Sequence, residues 1–192
     1  MGTTRHPREE LERAREAIEQ MNRASSFDEF EAGWIEFLNR LERIWSKSKA
    51  AFEKHSSWNG WKGRYLKLRK KDPLLSYLIN ARGAEVHTVE PIAEKEDSTL
   101  SFGAGPTGSV HIKEIRITNG RLLIDADAPV KVTFRPERMK LLPITNRGRV
   151  YDIPREHNGS EVNPDDVLAL ARLALGFYEA FLQDADAYLA AP

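Results

Sequence analysis

DPLLSYLINARGAEVHTVEPI, residues 72–92, divides a chain that reads as helix before it and largely as strand after it. Asp72 is a helix cap and Pro73 a first helical residue, because proline's fixed φ and missing N–H suit that position. Leu74, Leu75, Tyr77, Leu78 and Ala81 form the apolar stripe that a packed helix needs, and the stretch closes before Pro91. Arg82 and His87 stand toward its far end, a fixed cation and an imidazole that titrates near neutrality. On an ideal helix five residues turn by about 140°, so the two side chains converge only where the helix bends or frays, or where two copies meet.

Upstream, Leu11, Ala14, Ile18 and Met21 draw a narrow apolar line on a charged helix from Pro7 to about Ala24. Ser26 and Glu29 make a capping box, and the following stripe is broad: Phe27, Phe30, Trp34, Phe37, Leu41, Ile44, Ser48 and Phe52, widened by Ile35, Leu38 and Trp45. Such breadth predicts burial against more than one neighbour. Ser56–Gly63, SSWNGWKG, reads as a loop by its Asn-Gly step. Downstream, residues 94–108 turn to Ser, Thr, Gly and Pro, and alternation over Val110–Ile112, Ile115–Ile117, Arg121–Ile124, Val130–Phe134, Lys140–Ile144 and Arg149–Ile153 then predicts four or five strands. Thr118-Asn119-Gly120 is a hairpin turn. Asn163-Pro164-Asp165-Asp166 opens a last helix, whose core face runs from Val167 and Leu168 to Phe181 and Leu182. The expectation is an α+β fold: about four helices, with an antiparallel meander inserted before the last. Residues 1–93 are its helical part, 94–160 the inserted β region and 161–192 the closing helix.

The 192 residues suit one domain with an insertion, and 41% hydrophobic residues supply a core. Lys+Arg and Asp+Glu are both 29, so an electrostatic partner must be sought in local patches. The absence of cysteine excludes disulfides, thiolate nucleophiles and cysteine-bound zinc. No apolar run is long enough for a membrane span and the N-terminus has no apolar signal core, so the expectation is a cytoplasmic protein without membrane contact. Asn158-Gly159-Ser160 matches a sequon but reads as a turn. Asp125 and Asp127 mark a polar turn rather than a metal site, His111 alternates onto a solvated face, and His55 and His157 fall in loops. No phosphate loop, serine-nucleophile motif or histidine metal motif occurs, and neither cofactor nor metal is expected.

Two constellations bear chemistry. Lys62, Arg64, Lys67, Arg69, Lys70 and Lys71 place six cations in ten residues beside Trp58, Trp61 and Tyr65. Such a segment tracks a phosphate backbone while aromatics stack on bases, or it is a solvated helix face whose tryptophans complete the core. The second is Arg82 with His87. An arginine clamps phosphate by charge-assisted hydrogen bonds and a histidine moves a proton, which together suit metal-free RNA cleavage. The plain alternative is a surface arginine and a histidine near a helix end.

The stretch DPLLSYLINARGAEVH resembles the HEPN superfamily, helical-bundle proteins marked by an arginine, four to six residues, and a histidine. The likeness is strongest over Asp72–His87, weaker over Phe27–Phe52, and leaves the β region outside. It implies a dimer whose motif helices abut, and a metal-independent endoribonuclease with Arg82 on the scissile phosphate and His87 as acid and base. The superfamily also holds non-catalytic members, and Gly83 stands where Asn, Asp or His often follows the arginine. Three readings therefore stay open: an RNA-cleaving or RNA-binding protein; a non-catalytic dimer whose sheet takes a protein partner or a small ligand; and an accessory with no nucleic-acid role.

Overall fold

The computed structural model describes residues 5–87, 91–105 and 108–189, with the side chains of Arg5, Val86, His87 and Leu189 outside that description. Helices α1 (Arg5–Arg23), α2 (Phe27–Phe52), α3 (Trp58–Lys71) and α4 (Pro73–His87) come first, and α5 (Val167–Leu189) comes last. Between them lie β1 (Ala93–Glu96), β2 (Thr99–Ala104), β3 (Ile112–Thr118), β4 (Arg121–Ala126), β5 (Val130–Arg135), β6 (Arg138–Leu141), β7 (Ile144–Asn146), β8 (Arg149–Tyr151), β9 (Glu156–His157) and β10 (Ser160–Glu161). The class is α+β, with small antiparallel sheets. No helix of the described residues is long and apolar enough to cross a membrane.

Local signals set most helix ends. Ser26 Oγ accepts from Glu29 N–H at 3.2 Å, while the Glu29 carboxylate reaches back to Ser25 rather than to Ser26, shifting the box by one residue. Asp72 caps α4 by accepting from Leu75 N–H at 2.9 Å. At α5 the cap is Asp166, which accepts from Ala169 N–H at 2.9 Å. Asn163, expected to open the helix, instead turns the chain by accepting from Asp165 N–H.

α1 and α2 run antiparallel. They touch closely where Gly33 faces α1, since a Cβ there would sit 2.8 Å from Met21 Cγ. At the other end the fully buried Glu10 carboxylate meets Arg40 and Lys47 of α2. The core gathers Trp34, Phe37, Leu38, Leu41 and Ile44 of α2, Leu74, Leu75, Tyr77, Leu78 and Ala81 of α4, and Leu170, Ala174, Tyr178 and Phe181 of α5.

Two expectations change. Ser56–Gly63 is not a loop: α3 begins at Trp58, and Trp58, Trp61, Tyr65 and Arg69 bury one helical face, which makes five helices among the described residues. The strands do not form a meander. β1 pairs with β6, β2 with β5, and β3 with β4, so in sequence each pair encloses the next, as separate two-stranded sheets. Alternation marks strands but does not name their partners, whereas the positive φ of Asn119 and Gly120 closes β3–β4 locally. Arg147-Gly148 and Asn158-Gly159 close β7–β8 and β9–β10 by the same geometry.

The chain divides into two compact units, Met1–Lys95 with Met139–Pro192, and Glu96–Arg138. The first holds the helices and the β7–β10 hairpins. The second holds β2 to β5.

Candidate functional site

The motif helix α4 is the most enclosed element of its unit. Its described residues from Leu74 to Glu85 are all buried or partly buried. Tyr77 donates to Leu142 C=O at 2.7 Å, fixing the helix to the chain after β6. At its start, one carboxylate serves two elements. Asp72 caps α4, and it also contacts His157 Nδ1 at 3.0 Å and accepts from Asn158 N–H at 2.7 Å, holding the β9–β10 turn.

Arg82 is partly buried and points toward α2, where its Nε–H donates to Asn39 Oδ1 at 3.3 Å. That partner is a neutral amide. Among the described residues no carboxylate pairs with Arg82, whereas Arg40, Arg64 and Arg69 are neutralised by Glu10 and Glu36, by Asp184 and by Glu42. One residue on, the backbone of Gly83 admits the amide of Asn146, whose Nδ2 lies 2.6 Å from where a Cβ would stand. The same amide donates to Asn80 Oδ1 at 2.9 Å, and Asn80 in turn donates to Ser76 C=O. Three asparagines thus gather along the Arg82 half of α4. The sequence signal for them was slight, since nothing local joins Asn39 or Asn146 to this helix. The His87 side chain, the second member of the expected pair, lies outside the described residues.

The basic segment is dismantled as an aromatic platform. Trp58, Trp61 and Tyr65 are 1%, 7% and 8% exposed, which removes their faces from any base. Trp58 packs with Phe52 and Trp61, Trp61 and Tyr65 pack with Phe177 and Phe181 of α5, and the Trp61 indole N–H and Tyr65 hydroxyl both donate to Asp184 at 2.8 Å. Arg64 binds the same carboxylate. Arg69 is buried, donates to Glu42 at 2.9 Å and lies 4.1 Å from the Trp45 ring, so it braces α3 against α2. Lys62, partly buried, stands 5.7 Å from the Trp58 ring. Lys67, Lys70 and Lys71 are exposed, and their three- and four-residue spacing puts them on one face. No described hydrogen bond or ion pair joins that face to Arg82.

The remaining candidates are structural. Asp127 accepts from His111 N–H at 2.7 Å across the ribbon, and Asp125 stands opposite Glu114. Among the described residues no three His, Asp or Glu side chains gather as a metal-ligand set. Compared with models of known families, with curated proteins and with solved structures, the chain finds no match.

Proposed function

We propose that the chain is a HEPN-like RNA-binding protein in which Arg82 takes a backbone phosphate and Lys67, Lys70 and Lys71 contribute sequence-independent attraction. The observation that supports this reading is the partly buried guanidinium held by Asn39 with no carboxylate beside it among the described residues. A cation removed from water without a counter-charge gains most from an incoming anion, and a phosphate accepts its remaining donors in pairs. In a cleaving form, His87 takes the 2′-hydroxyl proton and the 2′-oxygen attacks the adjacent phosphorus. The 5′-oxygen leaves with that proton, Arg82 stabilises the phosphorane, and a 2′,3′-cyclic phosphate and a 5′-hydroxyl result.

Binding without cleavage is favoured by the contact at Gly83. There Asn146 fills the space that a polar side chain after the motif arginine would occupy. The test is one set of incubations, in EDTA, of single-stranded RNA with wild type, Arg82→Ala and His87→Ala. Wild type should bind at low salt and weaken steeply as salt rises, and Arg82→Ala should lose about tenfold in affinity. Cyclic-phosphate ends from wild type but not from His87→Ala would add the reaction. Absence of binding by folded wild type at low salt overturns the proposal.

A further inference from the structure

The register of the Glu96–Arg138 unit sorts its side chains cleanly. Across β2 and β5, Leu100 faces Phe134, Phe102 faces Val132 and Ala104 faces Val130, so six apolar residues share one side of the ribbon. The other side carries Thr99 with Arg135, Ser101 with Thr133 and Gly103 with Lys131. Across β3 and β4, Ile115 faces Ile124 and Ile117 faces Leu122, again on one side. These faces are not covered: Phe134 is 64% and Ile117 73% exposed, and Leu100, Ile115 and Val132 are each at least 40% exposed.

A two-stranded ribbon with a wet apolar face is marginal in water, and it gains stability once a further layer covers that face. We infer that the Glu96–Arg138 ribbon is a dimerisation arm whose apolar side is covered by the same side of the arm of a second copy. Charge selects this occupant. The unit carries six Lys and Arg and six Asp and Glu, a balance that offers no net attraction to a polyanion or to an anionic membrane. The tip that a membrane-inserting hairpin would load with apolar residues is Thr118-Asn119-Gly120-Arg121. An added strand along an edge would leave the apolar side wet.

Area agrees with a second copy. The five most exposed members leave on the order of 400 Å² of apolar surface, within the range of the largest patch on a typical monomer. With the partly buried members and backbone included, a face-to-face pair reaches about the 800 Å² per partner of a standard interface. Two such sheets pack about 10 Å apart, and a two-fold axis presents each face to its own copy. The inference stands independently of the reading of Arg82.

Sedimentation velocity on the full chain across 1–100 µM tests it, with Phe134→Asp, Phe134→Thr and the opposite-side Leu123→Asp as variants. Wild type and Leu123→Asp should be dimeric at the upper concentrations. Phe134→Thr keeps a strand-forming residue and should weaken the dimer at least tenfold, and Phe134→Asp should abolish it with the helical circular dichroism unchanged. A wild type that stays monomeric overturns the inference, whether or not it then floats with anionic vesicles or shifts with RNA. A dimer that survives Phe134→Thr at wild-type strength overturns it equally.

Discussion

Glu10 carries a charge where water does not reach it. Burial pushes its carboxyl up, but the hydrogen bonds and charges of Lys47 and Arg40 together outweigh burial and hold it below the ordinary carboxylate range. A carboxyl lowered in the folded state contributes stability that is full above the unfolded value and lost as pH falls through the folded value. Glu10→Gln should therefore cost about 2 kcal/mol at pH 7, because it sets Lys47 against a neutral amide and leaves Arg40 with Glu36 alone. The gap between variant and wild type should narrow as pH falls through the lowered native value, below which the native carboxyl is protonated too. Urea unfolding at pH 7, 5 and 3.5 measures this, and a gap that stays constant with pH would refute it. Nothing in the sequence of α1 marks Glu10 apart from Glu9 or Glu12. Its role comes from landing on the face that meets α2. The asparagines near Arg82 were illegible for the same reason: Asn39, Asn80 and Asn146 are brought together by tertiary packing, with no motif to announce them.

Among the elements, α2, α4 and α5 were legible because their apolar stripes are long and their caps local. α3 was hidden by its own composition. Trp58, Trp61, Tyr65 and Arg69 recur at threes and fours, yet Asn59-Gly60 and Gly63 spoke for a loop. The packing of Trp61 and Tyr65 against α5, and of Trp58 against Phe52 of α2, outweighs what the glycines cost the helix. Neither glycine is used for close approach, since a Cβ at Gly60 or Gly63 would meet nothing within 4 Å. Gly63→Ala should then stabilise the protein by about 1 kcal/mol, seen as a Tm rise of roughly 3 °C. Gly60→Ala lies in the first turn and should give less. Gly33→Ala would behave oppositely, because a methyl group there runs into Met21 and the α1 backbone. A drop in Tm for Gly63→Ala would mean that α3 is not helical at that position.

At the scale of the molecule, the β strands fall into two groups that alternation alone does not separate. Met139, Leu141 and Ile144 belong to the core around the helices, and no described residue from Glu96 to Arg138 does. A strand pattern reports one buried side, but what that side is buried against is decided by the rest of the fold. The helical unit therefore owes little of its core to the ribbon, and the ribbon's ends are held together by the ion pair of Glu96 with Arg138. Replacing Asp97–Glu137 by a two-residue Asn-Gly turn should leave the helical unit folded, with its thermal midpoint at or slightly above that of the whole chain, since a long connection gives way to a tight one. Differential scanning calorimetry checks the midpoint, and sedimentation of the same shortened chain checks the arm. A folded monomer places association in the ribbon, whereas a dimer persisting without it assigns the contact to the helices. Loss of the helical transition altogether would show that residues absent from the core nonetheless determine its stability.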